Sequence, residues 1–590
     1  MSKLNIDQQT IRTLFSDKKT DFLIPDYQRP YAWGESECQT LWDDLRLFAF
    51  PDNDSDKFDS DSDEYFLGPI VMFKNEGKME IIDGQQRLTT LMLLLRAFYE
   101  KYGKMQADRA VKAAKLIEQC IWKTDEFGDS DKTVLKITSE VATEKEKDEF
   151  LNILKTGIAT EGDNSNYACN YRFFQDKIGD FLNDYPDYFI LFSLRIMNNC
   201  ILLPIEAESQ DTALRIFSTL NDRGKPLSDS DIFKAQFYKY YGAKGAGEKN
   251  SFIAKWKDLE ILCASIFDPK SGTPMDELFT RYMYYRRAKQ GITSSSIEAL
   301  RKFYEKNGYA LLKEEKTFDD LIDLANFWND VIGQNVERFS LRVLRRLFVL
   351  NYAPNSMWTY FVSVYYMANR QQDGLLEDEA FFNFLNKTTA LVWAYGMVKP
   401  GVNALRTPLF TEMLNIVNGQ AVTFGKFLFD EQQLKNVLEN YMFSNNRAIT
   451  KSMLIWWAFQ DDAQEKFQLG TILEIEHIYS RSREEKEQTL SNPQNMESLG
   501  NKSILEKGIN IRASDYKFSD KIKYYNGYET AKTQQKKDGT NVKELRDLAA
   551  TATDFTEADI VARNDRILQG FVAYIDNNGL LNKVKESLIK

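Results

Sequence analysis

Short apolar runs of strand length cluster near the N-terminus of this chain, and apolar residues at three- and four-residue spacing dominate most of the rest. "YFLGPIVMF" (65–73) and "KMEIIDG" (78–84) predict two strands joined through Asn75-Glu76-Gly77, a hairpin signal. "FLIPDYQRPYAW" (22–33) is strand-like and punctuated by Pro25 and Pro30, and "CILLPIEAES" (200–209) predicts a further buried strand. "GESECQTLWDDLRLFAF" has helical spacing with Ser36 as a candidate N-cap, and a strongly apolar helix is predicted from Gln85 to Lys101. After residue 210 the pattern gives a helix, a loop centred on Asn221–Pro226, and a second helix that Ser228 or Asp229 would cap. Residues 240–440 are aromatic-rich and helical, and their Tyr and Phe stripes fit helix packing. "ILEIEHI" (472–478) then alternates as a strand, projecting Glu476 and His477 to opposite sides. A polar loop, the short apolar piece "KSIL", and a helix beginning at Asn510 follow.

These elements predict an α+β, predominantly helical protein of three parts: residues 1–240, a helical middle from 241 to 440, and 441–590. With 590 residues, 43% hydrophobic and 28% charged, the chain is long enough for several buried cores. It lacks a run of about 18 apolar residues and a basic-apolar leader pattern, so a cytoplasmic protein without a membrane segment is expected. Five scattered cysteines without CxxC spacing read as reduced thiols. The net charge of −11 disfavours a general nucleic-acid coat, yet residues 501–546 hold 11 Lys/Arg against 6 Asp/Glu. Lys517, Lys521 and Lys523 in that stretch are candidate DNA-binding residues. Histidine occurs once, at His477, so a zinc site with two histidine ligands is excluded.

Asp83-Gly84-Gln85-Gln86-Arg87 lies at a strand-to-helix junction, where free backbone N–H groups and the helix dipole favour an anion. Gly84 lets a ligand approach the backbone, and Arg87 supplies a planar charged fork for phosphate oxygens. Gln85 and Gln86 can donate or accept, and Asp83 can hold a metal or orient water. "PDYQRPYAW" repeats the amide–guanidinium theme in Gln28 and Arg29, and "NDRGKPL" repeats it in Asn221 and Arg223. Together they suit a nucleotide, although GxxxxGK[ST] is absent.

"IPDYQRPYAW", "YFLGPIVMF", "EIIDGQQRLTTL" and "IFSTLNDRGKPLSDSDIFKA" resemble the N-terminal domain of the GmrSD family of modification-dependent (type IV) restriction endonucleases. That resemblance implies a fold related to ParB and sulfiredoxin, with nucleoside-triphosphate binding and hydrolysis at Asp83, Gln85, Gln86 and Arg87. The order of His477 at a strand end, Asn501, and Asn510 on a following helix resembles the HNH (ββα-metal) nuclease domain of the same family. Phosphodiester hydrolysis needs a base and charge neutralisation, and Mg²⁺ or Mn²⁺ needs no histidine ligand. His477 would be the base, Glu476 and Asn510 the metal ligands, and Asn501 would orient the imidazole or brace the loop. Ser480 stands where the family usually has proline, and Asn510 where a second histidine is common. The implied activity is cleavage of foreign phage DNA carrying modified bases, with nucleotide control and a homodimer as one route of communication. Two other readings stay open: a nucleotide-dependent DNA-binding switch that does not cut, and a helical scaffold with relic sites.

Overall fold

The computed structural model describes residues 5–6, 8–25, 28, 30–141, 144–210, 212–213, 216, 228–269, 272–292, 294, 296–401, 403–529 and 535–582. It is α+β and predominantly helical, and it divides into two compact units, residues 1–256 and 257–590. Among the described residues, no helix is long and apolar enough to cross a membrane.

The first unit is built on a mixed sheet centred on Tyr65–Asn75. That strand pairs antiparallel with Lys78–Asp83 through the expected hairpin, whose turn residues Glu76 and Gly77 have φ of 48° and 83°. It also runs parallel to Cys200–Ala207, while Phe22–Ile24 and Ile137–Ser139 extend the far side in parallel. Asn5–Ile6 and Gln9–Thr10 pair antiparallel with Cys200–Ala207. Alternation along the central strand feeds two cores. Ile70 and Met72 join the Gln85–Tyr102 helix on one face; Val71 and Phe73 meet Ala235, from the Asp229–Gly242 helix, on the other. The Gln85–Tyr102 helix is apolar nearly all round because the Asp108–Ile121 and Asn166–Asp184 helices cover its outer side. Ser228 caps the Asp229–Gly242 helix, as expected. Ser36 does not cap the Glu35–Ala49 helix, which starts one residue earlier. There the Glu37 carboxylate accepts the Gly34 N–H at 2.9 Å and completes the first turn.

In the second unit, the helices between Pro274 and Val417 bury their aromatic stripes against one another. Tyr365 stacks on Phe384 at 4.0 Å and Phe327 on Tyr366 at 4.1 Å. Leu473–His477 then pairs antiparallel with Lys502–Glu506, placing His477 opposite Lys502. The single helix expected from Asn510 is two helices, Lys507–Ala513 and Phe518–Asn526, separated by Ser514 at φ 45°. The turn leading into the second strand is locked from behind. Arg563, on the Glu557–Asn577 helix, donates to the carbonyls of Leu499, Gly500 and Lys502, while its other nitrogens pair with Glu544.

Candidate active site

His477 ends its strand with its imidazole nearly enclosed, the side chain 12% exposed. Nε2 is buried without a hydrogen-bond partner; the nearest anion, Glu497 Oε1, is 3.6 Å away and beyond hydrogen-bond length. Burial lowers the imidazole pKa to about 4, with Lys502 and Arg481 reinforcing the shift and Glu497 opposing it. The ring is therefore neutral at physiological pH, and its lone pair can take a proton. Around it, Arg481 donates to Glu497 Oε1 at 2.6 Å and Lys502 Nζ to Glu497 Oε2 at 2.6 Å. None of Arg481, Glu497 and Lys502 stood out in the sequence. The hints along the chain are the basic "SRSR" (480–483) shortly after the histidine strand and, for Lys502, the basic excess of residues 501–546.

Asn501 is fully buried and braces the loop. Its Oδ1 accepts the Tyr479 N–H at 2.7 Å, and its Nδ2 donates to the carbonyls of Tyr479 and Met496 at 3.1 Å each. Those bonds occupy its amide, so it acts on the site by tying the backbone at Tyr479, just after His477, to that at Met496, just before Glu497. Ser480 replaces proline without losing the turn: its hydroxyl accepts the Arg483 N–H at 3.2 Å and caps the Arg481–Glu487 helix.

Glu476 projects to the opposite side, as the alternation requires. There it meets a partner the sequence did not reveal: Oε1 is 2.7 Å from Lys521 Nζ and accepts the Tyr525 hydroxyl at 2.7 Å, while Lys521 also donates to the His477 carbonyl at 2.6 Å. This corrects two expectations. Lys521 is buried as the counter-ion of Glu476, whose own side chain is 4% exposed, so this ammonium is committed to an internal carboxylate and not to a DNA backbone. The Glu476 carboxylate is enclosed with that ammonium, and Asn510 donates its amide to Glu474 at 2.9 Å. The proposed metal donors thus do not converge beside the imidazole. Among the described residues, no group of three or more His, Cys, Asp or Glu side chains is arranged to hold a metal ion. Lys517, paired with Glu487, and Lys523, over the Tyr524 ring, remain on the surface.

In the first unit, Asp83 and Gly84 end the strand and Gln85 opens the helix, which has no side-chain cap at Gly84 (φ 91°). Arg87 lies beside them, its guanidinium donating to the Pro69 carbonyl at 3.1 Å. Gly68 makes room for it: a Cβ there would sit 3.0 Å from the guanidinium nitrogen. Burial lowers the Arg87 pKa and Asp83 opposes that shift, so one charge compensates the other at the junction. Gln86 and Gln28 point elsewhere. Gln86 Oε1 accepts the N–H groups of Ala32 and Trp33 at 2.7 and 3.2 Å, its Nε2 donates to Pro30, and Gln28 donates to Ile82 at 3.1 Å. Both amides fasten Gln28 and residues 30–33 to the junction, and this replaces the ligand role expected of them. Arg29, Asn221 and Arg223 lie outside the described residues. Gln86→Ala leaves the part-buried Ala32 and Trp33 N–H groups without their acceptor, so a loss of about 0.5–1.5 kcal/mol is expected in urea denaturation.

Residues 430–569 match the family model described as the C-terminal domain of GmrSD restriction endonucleases, and residues 11–238 the model described as the GmrSD restriction endonuclease N-terminal domain. The first match contains His477 and its surroundings, the second the Asp83–Arg87 junction. The class is therefore that of a restriction endonuclease, an enzyme whose partner is DNA. The chain belongs to the GmrSD family, with the two matches together covering more than half its length. No curated protein matches the chain.

Proposed function

We propose that this protein is a nucleotide-regulated endonuclease that restricts foreign phage DNA bearing modified bases. His477 is the base that takes a proton from the attacking water. The observation carrying this reading is the enclosed, neutral imidazole whose Nε2 has no partner, facing two cations at the end of a hairpin. Phosphodiester hydrolysis needs such a base and fixed positive charge against the phosphate. The hairpin with its following helices suits a ββα-type nuclease core, and the sheet of the first unit suits the ParB-related fold that the family resemblance implies. Among the described residues the implied divalent cation has no assembled donor set, and Mg²⁺ and Mn²⁺ are therefore varied in the assay. Matched unmodified, hydroxymethylated and glucosylated DNA, incubated with each triphosphate and with Mg²⁺ or Mn²⁺, should be cut in at least one modified, nucleotide-containing arm. Binding in these arms without any cutting would favour the non-cleaving switch instead.

The nucleotide, bound by Arg87, Gln85 and the open helix end at Gly84, gates cutting by changing the arrangement of the chain or of a homodimer. At a hundred times its dissociation constant a nucleotide adds about 2.7 kcal/mol of stability. Arg87→Ala is expected to remove most of that gain, read as the nucleotide-induced rise in Tm. An undiminished rise would exclude the guanidinium from the site.

A further inference from the structure

The carboxylate beside His477 is held as an oxyanion would be. Each Glu497 oxygen takes one charge-assisted hydrogen bond, Oε1 from Arg481 at 2.6 Å and Oε2 from Lys502 at 2.6 Å, and Oε1 also faces the unpartnered Nε2. A planar guanidinium and an ammonium thus converge on a pair of oxygens bonded to one atom, with the imidazole nitrogen alongside. A phosphodiester presents its two non-bridging oxygens in the same way.

The two cations and the carboxylate they hold differ in freedom. Lys502 is fully buried; its ammonium is fixed by the Phe443 carbonyl, and burial lowers its pKa. A buried ammonium stripped of its counter-ion is strongly unfavourable, so this position requires an anion. Glu497 is the movable member, with a side chain 32% exposed, and Arg481 beside it is 53% exposed. The backbone around Glu497 is tied down by the Asn501 amide at the Met496 carbonyl and by Glu557 at Ser491, Asn492 and Asn495. Exchange of the anion therefore requires only rotation of the Glu497 side chain. With Glu497 present the cradle carries two cations and one anion; with it swung out, two cations face the incoming group.

We propose that Arg481 and Lys502 form the cradle for the scissile phosphodiester beside the His477 base, and that Glu497 occupies it as an internal stand-in until DNA displaces the carboxylate. The proposal rests on the nuclease reading and names the residues that receive the substrate phosphate. It makes Arg481 a DNA-contacting residue, and it makes Glu497 a competitor of DNA.

The test measures binding of full-length protein to a modified duplex across a salt series without divalent cations. Glu497→Ala is expected to bind about ten-fold more tightly than wild type, because the competing carboxylate is gone. Arg481→Ala should bind about ten-fold more weakly, with the slope of log affinity against log salt reduced by about 0.9, the loss of one phosphate contact. The double variant should match Arg481→Ala or fall between the two singles. Inorganic phosphate should raise the Tm of Glu497→Ala more than that of wild type. Glu497→Gln, which removes the charge and keeps an acceptor, is the second variant should alanine fail to fold, and it should also bind more tightly than wild type. Unchanged or weaker binding by both Glu497 variants, or an unchanged salt slope for Arg481→Ala, overturns the cradle. Cutting by wild type is scored separately: if wild type cuts while the cradle variants bind alike, only this inference falls. If wild type binds as described but never cuts, the nuclease reading falls and an anion cradle remains.

Discussion

His477→Ala is expected to reduce DNA cleavage by about 10²–10⁴-fold, the usual contribution of a positioned general base, while DNA binding stays within a few-fold. Nε2 makes no hydrogen bond that the substitution would break, so the loss should appear in kcat and leave the fold intact. The pH profile separates this role from a packing role. Burial, Lys502 and Arg481 together hold the imidazole pKa at about 4, below its ordinary value of 6.5. The base is then unprotonated across the neutral range, and the acid limb of kcat/KM should lie near pH 4. The same shift has a consequence for stability. The folded state resists protonation more than the unfolded chain does, so this group's contribution is complete above pH 6.5 and is lost as pH falls toward 4. A limb at pH 6.5 that vanishes in His477→Gln would mean an open, solvated imidazole. A variant that cuts at the wild-type rate would remove His477 from the chemistry.

How much of this centre can be read along the chain follows from the range of the interactions that build it. The alternation in "ILEIEHI" is local and correctly separates Glu476 from His477, because strand geometry alone fixes which side each faces. What each side chain meets is set by residues distant in sequence. Lys521 reaches Glu476 from a helix 45 positions later, and Glu497 approaches the imidazole from the end of a short 3-10 turn, Pro493–Glu497, that no periodicity marks. Counting basic residues between 501 and 546 gives the sign of the region, yet it cannot tell a surface ammonium such as Lys523 from a buried counter-ion such as Lys521. The junction at Asp83–Arg87 behaves alike. The glycine turn and helix start are legible, whereas Gln86 bonds a segment more than 50 residues upstream, and its amide there serves the chain itself. In both units the sequence marks a candidate site, and long-range pairing decides which of its polar groups are already engaged within the chain.

Lys521→Met tests that principle at its most costly point, and a loss of about 3–5 kcal/mol is expected in denaturant unfolding of the second unit. Methionine fills most of the volume and removes the charge, so Glu476 keeps the Tyr525 hydroxyl but loses the ammonium that neutralises it. Burial already raises the Glu476 pKa, with Lys521 as the leading opposing influence. Without that cation the shift grows upward. A carboxyl whose folded pKa exceeds its unfolded value costs stability as pH rises through the interval between them. The deficit of Lys521→Met should therefore be smallest near pH 4.5 and grow toward neutrality, when the enclosed carboxylate must ionise alone. Adding Glu476→Gln removes that charge, and the double variant should regain much of the loss, with a coupling energy above about 1 kcal/mol. Cleavage should fall in the single variant as well, because the same ammonium anchors the His477 carbonyl at the strand end. A pH-independent loss, or full additivity of the two substitutions, would mean that packing, and not the ion pair, holds this helix against the histidine strand.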